Sequence, residues 1–188
     1  MEYRRLWIAF ALVIVGSFAV LGYYGSEIYR DAPPVPDRVV TTDGRVLWTG
    51  AEIKDGQNVW QSTGGHELGT VWGHGSYVAP DWSADWLHRE AVYMLDAWAG
   101  TEHGLPFDQL AAEPKAALQS RLQETLRENT YDPTTGDLVV SELRAEAIAD
   151  VADHYRKLFN NDPGLADLRE AYAMKEGTVK KRCRRPMT

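Results

Sequence analysis

Four histidines, His66, His74, His88 and His103, are close enough in the chain to raise the question of a metal centre. Their spacing does not supply one. There is no HExxH, no i, i+4 histidine pair and no neighbouring cysteine. Histidines in loops beside tryptophans are more often hydrogen-bonded structural residues. Asp81, Asp85 and Glu90 could suggest acid/base chemistry, but offsets of four and nine along a helix do not converge on one point. They read more simply as acids near a helix N-terminus, where the helix dipole favours them. Trp72, Trp82, Trp86 and Trp98 could line a ligand box, or form the core of a small domain or a face against a partner. The one cysteine, Cys183, excludes an internal disulfide, a CxxC pair and a haem held by two thiols of this chain. No catalytic residue is identified.

These residues centre on one stretch, Gly56 to Glu90, GQNVWQSTGGHELGTVWGHGSYVAPDWSADWLHRE. Its glycines at 64, 65, 69, 73 and 75 predict irregular backbone, and rings beside glycines suggest a chain passing close to something large and flat. A short helix from Thr49 through Ile53, Val59 and Trp60 leads into it, with Thr49 as cap. A helix starting near Asp81 or Ser83 leads out, with Leu87, Ala91, Met94, Leu95 and Trp98 on one apolar face and Gly100 as its end. Upstream, Val39 to Trp48 flanks an Asp43-Gly44 pair and predicts a small β-hairpin. Downstream come a helix entered at Pro114 with Leu118, Leu122 and Leu126 inside, a turn at 132–136, and an extended piece at 138–140. A helix from Ser141 follows, with Ile148, Val151, Tyr155 and Phe159 inward. A break at Asp162-Pro163-Gly164 precedes a last helix marked by Leu165, Leu168 and Tyr172.

Leu6 to Tyr24 carries no charge and spans about 30 Å as a helix, the thickness of a bilayer's hydrocarbon. Arg4 and Arg5 precede it, and Glu27 and Asp31 follow, so the positive-inside bias leaves the N-terminus in the cytoplasm and exports the rest. A cleaved signal peptide ending near Ser17-Phe18-Ala19 is the rival, and a retained anchor in the lipid bilayer is favoured because the apolar run continues through Leu21. Asp31 to Pro36 is a stiff spacer. Hydrophobic residues make up 44% of the chain and charged residues 25%, which predicts a folded body. The net charge of −7 is concentrated there, while Lys180-Lys181-Arg182-Cys183-Arg184-Arg185 forms a basic tail. An acidic body excludes nucleic acid as the expected partner.

The stretch from Gly56 to Glu90 resembles the N-terminal region of the quinol-dependent nitric oxide reductases, the single-chain NorB type. Ser26-Glu27-Ile28-Tyr29, Ala32-Pro33-Pro34 and Tyr172 to Thr178 fit the same resemblance, which covers about residues 1–180. It implies a cytochrome c-like periplasmic domain behind an N-terminal anchor. In the full-length family these precede a membrane core with haem b, haem b3 and non-haem iron that reduces two NO to N2O and water in denitrification. The stretch is also similar to the haem-bearing chain of the two-subunit relatives, whose pattern is W-Q-x-x-G-C-x-x-C-H-x-x-x-G-x-G-x-Y-x-A-P-D. Trp60, Gln61, Gly64, Gly73, Gly75, Tyr77, Ala79, Pro80 and Asp81 fall in place. The haem-binding cysteines are then replaced by Gly65 and Leu68, and the ligating histidine by Gly69. The resemblance thus implies a domain with no cofactor of its own, in which Trp72, Trp82 and Trp86 fill the haem's volume. It further implies main-chain calcium contacts at Gly75 and Tyr77, on a Gly73–Tyr77 edge facing the core.

The expected architecture is mainly α. Residues 1–25 form the cytoplasmic start and transmembrane helix, 26–38 a Pro-rich spacer, and 39–174 the periplasmic cytochrome c-like domain with its hairpin. Residues 175–188 form a basic tail, read as a truncated or frameshifted end. The expected role is a structural part of an inner-membrane oxidoreductase, inactive as a fragment, whose partner is the reductase core. The alternatives are a stand-alone membrane-anchored subunit and an exported ligand-binding module.

Overall fold

The computed structural model describes residues 2–62, 64–65, 69–71, 73, 80–172 and 174. They fall into two compact units, Met1–Val35 and Pro36–Thr188.

The first unit is one helix, α1 (Glu2–Arg30). By length and composition its span Tyr3–Arg30 suffices to cross a membrane, a test that signal sequences also pass. The helix outlasts the apolar run and takes in Ser26 to Arg30, part of the expected spacer. Ser26 Oγ donates to Tyr23 O at 2.8 Å, and Arg30 pairs with Glu27 at 2.6 Å. Such local bonds carry a helix through polar residues until the prolines at 33 and 34 stop it.

The second unit begins with the expected hairpin, β1 (Arg38–Thr41) and β2 (Val46–Thr49), paired antiparallel around Asp43-Gly44. Its first strand also pairs in parallel with β4 (Asp137–Val140), which turns back on β3 (Tyr131–Asp132). The result is a four-stranded mixed sheet of order β2-β1-β4-β3. Arg38 holds the parallel seam by a two-pronged contact, Nε and Nη2 lying 2.9 and 2.7 Å from the Asp137 carboxylate.

Helix α2 (Gly50–Ser62) opens with a reciprocal cap. Thr49 Oγ1 accepts from Glu52 N at 3.3 Å, while Glu52 Oε2 accepts from Thr49 N at 2.8 Å. Helix α3 (Trp82–His103) is capped by Asp81, which accepts from Ser83 N and Ala84 N. The helix does not end at Gly100. It runs on to His103 and closes at Gly104, whose φ of 66° suits the left-handed C-cap. Its inner face is also turned from the expected one. Glu90, Met94, Leu95 and Ala99 are buried, while Leu87 is 40% exposed. The expected stripe omitted Glu90 because a carboxylate does not read as a core residue.

A 3-10 turn, Phe107–Gln109, leads to α4 (Ala112–Arg127), where Pro114 is the third helical residue instead of the first. Leu95, Ala99, Leu110 and Leu118 make one core between α3 and α4, with Trp98, Phe107 and Leu122 at its edge. Val39, Val140 and Ala145 make a second, joining the sheet to α5 (Glu142–Phe159), with Ile53 of α2 against it. Ser141 caps α5 as expected, accepting from Arg144 N at 3.2 Å. Ile148 and Val151 point inward, and Leu158 is fully enclosed. A 3-10 turn at Pro163–Leu165, capped by Asp162, precedes the short α6 (Ala166–Ala171).

Candidate functional site

The Gly-rich stretch is tied to the start of α3 by backbone. Thr70 N donates to Pro80 O at 3.0 Å, and Trp82 N donates to Thr70 O at 2.8 Å. This parallel bridge presses residues 69–71 against Trp82, which is 8% exposed. A Cβ on Gly69 would collide with Trp82 Nε1 and Cε2 and come within 2.7 Å of Pro80 O. A Cβ on Gly65 would collide with Cδ2, Cε2 and Cε3 of the Trp60 indole. Only glycine tolerates such approach, because every other residue must place an atom there.

Around this contact stands a continuous set of rings. Trp60 meets Trp82 edge to face at 6.2 Å. Trp82 in turn meets Tyr155 at 5.8 Å, Phe159 at 5.8 Å and Tyr172 at 5.6 Å. Trp86 stacks on Tyr155 at 5.5 Å with an interplanar angle of 4°. Offset and edge-on contacts of this kind are the preferred aromatic geometries. The helices α2, α3, α5 and α6 thus contribute rings to one interior, with Tyr172 supplied at the C-cap of α6.

The acids near the start of α3 have three separate tasks. Asp81 caps the helix, and hydrogen bonds from Ala84 N, with those of Gly73 N and Ser83 N, hold its carboxyl below the usual range. Asp85 Oδ2 accepts from Arg89 Nε at 2.8 Å and from the Tyr155 hydroxyl at 2.6 Å. Burial works to raise its pKa, but the Arg89 and Tyr155 bonds outweigh burial and bring it below the usual value. Burial and Asp85 together push the Tyr155 phenol upward. Glu90, 2% exposed, pairs with Arg144 Nε at 2.6 Å and ties α3 to α5. The three carboxylates do not converge on one point.

His88 and His103 lie exposed on α3, about 22 Å apart at the helical rise. His66, Leu68, Trp72, His74, Gly75, Tyr77 and Cys183 lie outside the described residues. Among the described residues, no group of three or more His, Cys, Asp or Glu side chains could hold a metal ion. The residues present do not fit a covalently held haem either. The only cysteine is in the tail, and neither Gly65 nor Gly69 has room for a side chain. Of the tryptophans expected to fill that volume, Trp82 packs against Gly69 and Trp86 lies beyond it on Tyr155. Trp60 against Gly65 was not foreseen. It precedes the glycines and reads as the end of a helix, and only the turn at Gly64 brings its ring back onto residue 65.

Fold and interior together define a class: a mainly helical domain with a small mixed sheet, whose glycine-rich segment closes on the protein's own indoles. The family is shown by comparison. A family model for the cytochrome c-like domain of NorB, the large nitric oxide reductase chain, matches residues 36–188, and the chain belongs to that family. The match begins where the second compact unit begins and includes the basic tail. A search of curated proteins finds no match.

Proposed function

We propose that this chain is the haem-free, membrane-anchored domain of a quinol-dependent nitric oxide reductase. It acts as a structural cap on a catalytic core that holds haem b, haem b3 and non-haem iron. The observation that carries this reading is the packing of Trp60 on Gly65 and Trp82 on Gly69 within a domain of this family. A haem-bearing relative has its thiol and its imidazole at those two positions. Here rigid rings maintain the interior, so the domain needs no cofactor to present a fixed surface to the core.

In this reading α1 anchors the chain in the bacterial inner membrane with Arg4 and Arg5 inside, and the domain lies in the periplasm. The Gly73–Tyr77 loop is the edge that meets the core. Carbonyls of Gly75 and Tyr77 contribute to a calcium site that residues of the core complete, in keeping with the preference of hard cations for oxygen. The chain's own residues bind and orient the core, and electron collection belongs to the core.

The test is to co-express the full chain, affinity-tagged, with the membrane core of a quinol-dependent nitric oxide reductase as a separate polypeptide. Co-elution in detergent, together with no quinol-driven NO consumption by the core-free chain, is the expected result. NO consumption by chain shown to lack any core, or independent elution of the two, overturns the reading. In an intact homologous enzyme, a valine at the position of Gly75 should reduce haem content or turnover more than it lowers domain stability.

A further inference from the structure

Packing alone would be served by a phenylalanine at position 155, yet a phenol stands there with its hydroxyl bonded to a carboxylate. Tyr155 donates to Asp85 Oδ2 at 2.6 Å, and Arg89 donates to the same oxygen at 2.8 Å. The ring contacts run without a gap through Trp60, Trp82, Tyr155 and Trp86. Members of this chain of rings differ in where a proton can go. Trp82 Nε1 is buried and finds no acceptor among the described residues. An indole oxidised by one electron at that position has no base to take its proton, so it stays a cation and a strong oxidant. Of the two phenols touching Trp82, Tyr172 has the Arg89 guanidinium as its hydrogen-bonding neighbour, which is a donor. Tyr155 has the carboxylate.

We infer that Tyr155 and Asp85 form a radical sink for the aromatic core. A diffusible one-electron oxidant of the free-radical class takes an electron from Trp82 and leaves as its anion. The resulting indole radical cation takes an electron from Tyr155, and the phenolic proton passes along the 2.6 Å bond to Asp85. Before the transfer there are an indole cation, a neutral phenol and a carboxylate anion. Afterwards there are a neutral indole, a neutral phenoxyl radical and a neutral carboxylic acid, so charge, protons and electrons balance. A thiol- or ascorbate-class reductant supplies the electron that restores the phenol, and Asp85 returns the proton. Short charge-assisted O–H···O bonds are strong, and this one places the acceptor where the acidic proton is released. Arg89 keeps the carboxylate ionised in advance. None of these steps requires docking to a core.

The experiment is pulse radiolysis of the full chain in detergent, with azide radical as the oxidant selective for tryptophan. Decay of the indole radical and growth of the phenoxyl radical are followed by absorbance. In the native chain the two phases share one rate, independent of protein concentration and slower in D2O than in H2O. Tyr155→Phe should remove that phase, and Asp85→Asn, which can accept the hydrogen bond but holds the proton far less well, should slow it at least about tenfold. Equal rates in H2O and D2O for the native chain would overturn the proposal without any variant. So would unchanged phenoxyl growth in either variant with native near-UV circular dichroism.

Discussion

Gly69 and Trp82 show how one residue without a side chain can set the composition of a core. The indole occupies the space a Cβ would need, so Gly69→Ala overpacks the site instead of filling a void. The expected cost is about 1–3 kcal/mol in urea unfolding, the range for forced overpacking. Trp82→Phe combined with Gly69→Ala should cost less than the sum of the two single changes, because the smaller ring vacates the contested position. Additive costs would show that the two residues do not compete for space. The Glu90–Arg144 pair behaves differently. Arg144→Met leaves a carboxylate that is 2% exposed without its partner, and is expected to cost about 3 kcal/mol. Glu90→Gln in the same background should restore part of it. Asp85 makes stability depend on pH. Its folded pKa lies below its unfolded value, so its contribution is present above the unfolded pKa of about 3.9 and is lost as pH falls through the folded one. Asp85→Asn should therefore destabilise the protein at neutral pH and flatten the acid limb of its stability profile. A variant whose acid limb matches the native one would show that Asp85 does not carry it. Much of this scale was hidden in the sequence. Asp81, Asp85 and Glu90 stand near one another in the chain, but their tasks depend on Arg144 and Tyr155, far along on α5.

At the scale of elements, local chemistry was more legible. Thr49, Asp81 and Ser141 cap helices because each places a side-chain oxygen where the first turn's N–H groups lack partners. Thr49→Ala should lower stability by about 1 kcal/mol. The end of α3 was misread for a physical reason. Gly100 and Gly104 both qualify as terminators by residue type, and only the backbone shows that Gly104 takes the positive φ. Gly104→Ala is therefore expected to cost about 1–2 kcal/mol, the penalty for a Cβ in the left-handed region. Gly100→Ala, with open space around its Cβ, should be neutral or slightly stabilising. A thermal unfolding scan of the two variants separates the assignments, and equal losses would contradict the C-cap at 104. The hairpin at Asp43-Gly44 was readable from a turn signal a few residues long. The parallel pairing of β1 with β4 was not, because it joins residues about a hundred positions apart and leaves no local mark.

For the molecule as a whole, the resemblance in the Gly56–Glu90 stretch pointed to the family that the match over residues 36–188 shows. The anchor helix, the hairpin and the helical body were legible because each has its own periodicity or turn chemistry. The interior was legible only in part. The composition announced tryptophans beside glycines, but which ring meets which glycine depends on the bridge between Thr70 and Asp81. The central claim is that this interior is complete as protein, with indoles where a haem-bearing relative has its cofactor. Near-UV circular dichroism with thermal unfolding, on full chain made in cells blocked in haem synthesis, tests it most directly. A strong aromatic signal lost in one cooperative transition, unchanged by added haemin, is the predicted result. A chain with helical far-UV signal but no near-UV signal until haemin is added would contradict it, since fixed packing would then require the cofactor.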